Sequence, residues 1–136
     1  MSQVTSNPTK RRPDVIGWTL RVLVALIFLY EGFDKFGERR LWIRVFAEIG
    51  IGQWFRYATG ILEIIGAVLL LVPRATTVAV TMLLCILVGA FLAHIFIIGV
   101  GIPHSVVVLV LFAAVVAIGW RQRSSLKRAA LAAMSR

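Results

Sequence analysis

Four long apolar stretches alternate with short polar or turn-forming segments along the chain. They cover residues 15–36, 54–72, 75–98 and 103–120. At about 1.5 Å per residue, helices of this length are suited to crossing a bilayer core of ~30 Å. The pattern therefore predicts an all-α integral membrane fold, in which residues 15–120 form one domain, a bundle of four transmembrane helices.

The segment between the first two spans, residues 37–53, has a different pattern. Apolar residues recur at helical spacing on one face, and charged residues occupy the other. The apolar face holds Leu41, Trp42, Val45, Phe46 and Ile49, and the charged face holds Glu38, Arg39, Arg40, Arg44 and Glu48. This separation predicts an interfacial amphipathic helix between spans one and two.

The connections and the chain ends complete the predicted organisation. Only Pro73 and Arg74 separate the second and third spans, so these helices should form an antiparallel hairpin. Residues 1–14 contain prolines and a basic cluster, and they are predicted to be a disordered cytoplasmic leader. Residues 121–136 are predicted to be a basic cytoplasmic tail.

Basic residues predict which end of the bundle faces the cytoplasm, because they accumulate in cytoplasmic loops. Both termini and the turn between spans two and three carry them, at Lys10, Arg11, Arg12, Arg74, Arg121, Arg123, Lys127 and Arg128. The opposite end is also basic, at Lys35, Arg39, Arg40, Arg44 and Arg56, but the turn before the fourth span is not. We therefore predict that both termini are cytoplasmic. The aromatic residues near the span ends are interpreted as interfacial anchors: Trp42, Trp54, Tyr57 and Trp120.

Composition excludes several classes of protein. Of the 136 residues, 60% are hydrophobic, which exceeds the apolar share of soluble domains. The formal net charge is +9, but the basic residues flank apolar runs, so no nucleic-acid partner is predicted. The single cysteine, Cys85, excludes an internal disulfide and a CxxC pair, and it is predicted to be a small core residue.

Three ionisable residues lie inside the predicted spans: Glu31, Glu63 and His94. Burying such a side chain in a transmembrane helix costs about 2.5 to 3.5 kcal/mol, so each needs a partner or a function. Glu63 is flanked at i−3 and i+3 by Gly60 and Gly66. These small residues allow a neighbouring helix to approach Glu63 closely.

The ionisable residues are predicted to form one polar cluster in the non-cytoplasmic half of the bundle. Counted from the span ends, Glu31 and His94 lie about 6 to 8 Å deep and Glu63 lies about 13 Å deep. Lys35 follows Glu31 by four residues, which favours an i,i+4 pair, and His104 begins the fourth span. The candidate catalytic residues are therefore Lys35, Glu63 and His94, with Glu31 and His104 as polar neighbours.

Structural roles compete with these functional assignments. Glu63 can hydrogen-bond to His94 or Thr59 and fix the helix register, and His94 can bond to a backbone carbonyl. Glu31 and His104 can be solvated at the interface. No spacing within one helix supports a metal site, so none is predicted.

Three stretches of the chain resemble a known family. They are LRVLVALIFLYEGFDKF at residues 20–36, FAEIGIGQWFRYATGILEIIGAVLLLVP at 46–73 and MLLCILVGAFLAHIF at 82–96. The first contains a G-x-x-K element, and the second contains a G-x-x-E-x-x-G element centred on Glu63. Together they are similar to the DoxX and DoxX-like membrane proteins of bacteria and archaea across most of residues 16–120.

The resemblance implies a four-helix bundle in a bacterial or archaeal plasma membrane, with recurrent polar positions at Lys35, Glu63 and His94. The family takes its name from a subunit of an archaeal thiosulfate:quinone oxidoreductase, and relatives are linked to membrane redox and oxidative-stress complexes. The resemblance therefore implies quinone as the candidate cofactor and a membrane or soluble redox partner. No cofactor-binding motif in the sequence supports an oxidoreductase independently, so whether the chain is itself an enzyme stays open.

Three functions stay open at this point. The first is a membrane subunit of a quinone-linked or oxidative-stress redox system, in which Glu63 and His94 exchange protons with a quinone. The second is a small proton-coupled transporter, whose membrane-embedded carboxylate alternately binds a proton and a cation. The third is a non-catalytic scaffold or assembly subunit that docks partners or anionic lipid. A homo-oligomer also stays open, because Gly60 and Gly66 suit packing between copies as well as within one bundle.

Overall fold

The computed structural model describes residues 15–98 and 102–134, and this part of the chain is helical apart from short connections. The α-helices are Val15–Asp34 (α1), Arg40–Ile49 (α2), Gln53–Leu71 (α3), Thr76–Ala93 (α4) and Ile102–Met134 (α5). A π-helical turn, His94–Ile98, extends α4. The segments long and apolar enough to cross a membrane are Val15–Asp34, Gln53–Leu71, Thr76–Phe96 and Val106–Ser124. The predicted all-α, four-span membrane fold is therefore confirmed, while the predicted leader lies outside the described residues.

The four spanning helices pack in a ring. α1 contacts α3, α3 contacts α4, α4 contacts α5, and α5 closes the ring against α1. Large apolar side chains fill the centre, among them Phe28, Leu70, Leu83 and Ile118, each at most 2% exposed. Many other apolar side chains point outward, as a bilayer rather than water requires. Cys85 is exposed on α4, so its predicted place in the core is wrong.

The two glycines that flank Glu63 permit close contacts with two different helices. A Cβ atom at Gly60 would lie 2.9 Å from the carbonyl oxygen of Gly32 on α1, which is closer than real contacts allow. A Cβ atom at Gly66 would lie 2.5 Å from Leu83 Cδ2 on α4. Both glycines therefore serve packing within one chain, with α1 on one side of α3 and α4 on the other.

The amphipathic segment forms α2, as predicted, and α2 covers one end of the bundle. It packs against α3 and against the π-helical turn at the end of α4. Its own residues Val45 and Phe46 are buried against the bundle, while Arg44 and Glu48 are exposed. Two glycines with positive φ, Gly50 at 76° and Gly52 at 104°, then turn the chain into α3, a conformation that residues with a side chain rarely adopt.

The opposite end, termed here the tail-side end, holds the start of α1, the turn between α3 and α4, and the portion of α5 around Gln122. The guanidinium of Arg21 donates a hydrogen bond to Gln122 Oε1, and Gln122 Nε2 donates to the carbonyl of Pro73 at 3.4 Å. α5 then continues to Met134. Its 33 residues correspond to about 50 Å, which exceeds a ~30 Å bilayer core. The helix therefore extends beyond the span predicted to end at residue 120.

Gly60→Ala should destabilise the bundle, although Gly→Ala in a helix interior usually stabilises it by up to about 1 kcal/mol. The new Cβ would press on the Gly32 carbonyl, so α1 must move away from α3. We expect a loss of about 1–3 kcal/mol in unfolding free energy, measured in detergent by steric-trap or thermal unfolding. Gly89→Ala is the matched control, because a Cβ there meets no atom within 4 Å. Equal stability of the two variants would contradict the close contact between α1 and α3.

Candidate functional site

A buried ion pair joins α1 to α3 near the end of the bundle that α2 covers. Lys35 Nζ lies 2.7 Å from Glu63 Oε2, and the two residues are 4% and 6% exposed. Lys35 directly follows α1, and Glu63 lies in the middle of α3. Because Gly60 has no side chain, the stem of Lys35 passes close to the α3 backbone and its ammonium group reaches inward to Glu63.

The indole of Trp42, on α2, covers this ion pair. Lys35 Nζ lies 4.3 Å from the centroid of the Trp42 ring, within cation–π distance. Trp42 Nε1 donates a hydrogen bond of 2.7 Å to Asp34 Oδ2, which fixes the ring relative to the end of α1. The ammonium group is therefore held between a carboxylate and an aromatic face.

A second, more exposed set of contacts fixes α2 to the end of α1. Asp34 Oδ2 also lies 3.0 Å from Arg39 Nη1, and Arg39 Nη2 donates to the Tyr30 hydroxyl at 3.2 Å. The hydrogen bond to Tyr30 and the charge of Asp34 raise the pKa of Arg39 above its ordinary value. Asp34 thus links Trp42 to Arg39 and positions the cover over the ion pair.

Arg56 is a second buried cation at this end of the bundle, and it is 4% exposed. Its Nη1 donates to the carbonyl of Gly37 and its Nη2 to the Tyr57 hydroxyl, both at 2.7 Å. Among the described residues, its Nε atom and Gln53 Oε1 are buried without a hydrogen-bond partner. Arg56 therefore ties the loop between α1 and α2 to α3.

The predicted cluster is only partly assembled. Lys35 and Glu63 meet, but the ammonium group of Lys35 contacts the backbone carbonyl of Glu31, at 3.4 Å, and not its carboxylate. The expected i,i+4 ion pair is therefore replaced by a pair between helices, which desolvates both charges more fully. No hydrogen bond joins Glu63 to His94 or Thr59 in the described structure.

The hydrogen bond described for His94 lies within its own helix. His94 Nδ1 lies 2.9 Å from the carbonyl oxygen of Ala90, one turn earlier. This contact matches the structural alternative predicted for His94, a bond to a backbone carbonyl. Thr59 likewise donates to a carbonyl of its own helix, that of Phe55. His104 belongs to the first turn of α5, but its side chain lies outside the described residues.

Trp42 and Arg56 were missed as site residues by the sequence interpretation, which made Trp42 an interfacial anchor. A helical-face argument identifies Arg56, since Arg56, Gly60 and Glu63 recur at i, i+4 and i+7 along one face of α3. Trp42 precedes the buried Val45 by one turn and so belongs to the inward face of α2. The sequence carries no signal that this face lies over Lys35.

The site offers one cationic donor and one anionic acceptor in an apolar, largely dry environment. Such a pair can hydrogen-bond to a polar head group or exchange a proton with one. No group of three or more His, Cys, Asp and Glu side chains that could hold a metal ion occurs within the described ranges.

The energetic coupling between Lys35 and Glu63 should be large. Lys35→Met or Glu63→Gln alone leaves the other group without its partner, and breaking a buried pair in this way costs about 3–5 kcal/mol. The double variant should lose less than the sum of the two, by a coupling energy of about 1–3 kcal/mol in detergent unfolding. The control cycle combines Asp34→Asn with Arg39→Gln. These two residues also form an ion pair, but the Arg39 side chain is 56% exposed. Strictly additive losses at Lys35 and Glu63 would contradict this interpretation.

Comparison with known proteins places the chain in a family. The sequence model described as the DoxX-like family matches residues 19–118. A curated relative from Bacillus subtilis (strain 168), named "Putative oxidoreductase CatD", is 32% identical over 73 residues, 54% of this chain and 54% of the relative. The match thus spans about half the length of that relative. No solved structure matches the chain at a significant level. Because the family match extends from within the first span to within the fourth, this four-helix membrane protein belongs to the DoxX-like family.

Proposed function

We propose that this protein is the membrane subunit of a quinone-linked redox system, and that the Lys35–Glu63 pair binds the quinone head group. The observation that carries the proposal is a buried, charged donor and acceptor pair at the covered end of a bundle whose core is apolar. A redox role is further supported by the relative from B. subtilis, whose name describes an oxidoreductase.

The pair can hydrogen-bond to both the oxidised and the reduced form of a quinone. A quinone carbonyl accepts hydrogen bonds, which the Lys35 ammonium group can donate, and a hydroquinone hydroxyl donates one, which the Glu63 carboxylate can accept. Reduction of a quinone consumes two electrons and two protons. Lys35 and Glu63 would supply or relay protons, while the electrons would come from a partner subunit that carries a flavin, a haem or an iron–sulfur cluster.

Trp42 would control access of the head group to the pair. Its indole lies 4.3 Å from Lys35 Nζ and covers the ammonium group that a quinone carbonyl would have to reach. Displacing the indole would place the flat quinone ring beside Lys35 in its stead. The apolar tail of the quinone would remain among the outward-facing apolar side chains in the bilayer.

A non-catalytic assembly subunit is the second candidate, and a specific observation favours it. The Lys35–Glu63 pair is closed, because its charges satisfy each other at 2.7 Å beneath a cover that is itself hydrogen-bonded. In this case the pair would serve only to fix α1 against α3. Any variant that restores the pair would then restore the stability and the function of the protein.

A proton-coupled exporter is disfavoured by the same geometry. Such a transporter needs a carboxylate that alternately binds a proton and the transported cation. At Glu63 the position of the cation is already taken by a covalently attached ammonium group.

The proposed setting is a bacterial or archaeal plasma membrane, with both termini cytoplasmic and the ion pair in the outer half. The charge distribution supports this orientation, since basic residues accumulate at the tail-side end. The contacts among Arg21, Gln122 and Pro73 also support a common side for the start of α1 and the portion of α5 around Gln122.

Exchanging the two charges separates the two candidates. Lys35→Glu combined with Glu63→Lys should keep an ion pair, and therefore most of the stability that either single variant loses. If the pair binds quinone, the exchange should still weaken binding of a quinone analogue by about tenfold or more, because the donor and acceptor trade positions. Binding is measured on the purified protein, and quinone reduction is measured in membranes that contain it.

The control is Arg44→Gln, which removes an exposed charge from the same end of the bundle. A charge-exchanged protein that is stable and binds the quinone analogue as the unmodified chain does would refute the quinone site. That result would leave the assembly role as the function of the pair.

A further inference from the structure

A groove lies between α4 and α5 at the tail-side end of the bundle, at the opposite end from the ion pair. Its volume is about 250 Å³. The residues that line it include Thr77, Thr81, Leu84, Val116, Gly119 and Arg123. Thr77, Thr81, Val116 and Arg123 are exposed, so the groove is open toward the surroundings of the bundle.

The lining of the groove changes from polar to apolar along its length, as a membrane does from its interface to its core. Arg123 and Thr77 lie at its outer end, and Leu84 and Val116 line its inner part. From Thr77 to Leu84 the helix rises about 10 Å, which spans the distance from a phospholipid phosphate to the first carbons of its acyl chains. A ligand that fits both ends is therefore amphiphilic.

Gly119 allows α5 to pack closely against α4 at the floor of the groove. A Cβ atom at this position would lie 3.0 Å from Val80 Cγ1, so the side chain of Val80 forms the floor directly beneath the glycine. A larger residue at position 119 would press on Val80 and alter the floor of the groove.

The charge at the outer end favours an anion. The acidic residues in the described part of the chain lie on α1, α2, α3 or the loop between α1 and α2, toward the end that α2 covers or at the level of the ion pair. Arg123 is exposed at the rim of the groove. A phosphate group at this rim would meet a cation and the hydroxyl of Thr77.

We infer that this groove is a binding site for an anionic phospholipid of the leaflet at the tail-side end. The phosphate would contact Arg123 and Thr77, and one acyl chain would lie along Val116 and Leu84. The site is independent of the proposed redox function, because none of its residues contacts Lys35, Glu63 or Trp42.

Native mass spectrometry of the full chain tests this inference. The protein is purified in mild detergent and exposed to equal amounts of phosphatidylglycerol and phosphatidylcholine. We expect retained phosphatidylglycerol to exceed phosphatidylcholine, and Arg123→Gln to lower that preference about fivefold, the effect of one basic residue near an anionic lipid. Arg44→Gln, which removes an exposed charge at the opposite end, should leave the preference unchanged.

Val116→Trp probes the acyl part of the groove separately. This change adds bulk at an exposed position, so it should leave the core intact while reducing retention of both lipids. Equal retention of the two lipids by the unmodified chain would overturn the inference, as would equal effects of Arg123→Gln and Arg44→Gln. Unchanged retention in Val116→Trp, or loss of a dimer instead of a lipid, would assign the groove to something other than phospholipid.

Discussion

The Lys35–Glu63 ion pair is the constraint around which one end of this protein is organised. Two charges inside a membrane bundle are tolerable only when they are close together and shielded, because each alone is costly to bury. Closeness requires α1 and α3 to touch, which Gly32 and Gly60 allow. Shielding requires a cover, which α2 provides through Trp42. The amphipathic helix is thus as much a part of the site as the charges are.

Hydropathy alone was sufficient to predict the four spans and the amphipathic helix, because each is a property of a continuous stretch. The importance of Glu63 was equally visible, since a carboxylate between two glycines in an apolar helix needs an explanation. The partner of Glu63 was not visible. A pairing between helices depends on their rotation and on side-chain reach, and the sequence interpretation favoured residues at similar depth over the long side chain of Lys35.

Trp42 and Arg56 illustrate why the remainder of the site required coordinates. Both belong to residue types that are common near membrane interfaces, so their occurrence at these positions is explained without any site. Only the path of the loop between α1 and α2 brings Trp42 over Lys35 and the Gly37 carbonyl to Arg56. The direction of that path is set by the contacts of Asp34 with Trp42 and Arg39, which are tertiary and leave no periodic pattern.

The continuity of α5 has a mechanical consequence. A helix that runs unbroken from Ile102 to Met134 has no joint at the end of its membrane span, so the segment beyond the span moves with the segment inside it. From Trp120 to Met134 this lever is about 21 Å long, and a tilt of roughly 10° in the bilayer would displace its tip by about 4 Å. Because α5 also packs against α1, a small tilt of α1 that α5 follows would produce a larger displacement at the far end of α5.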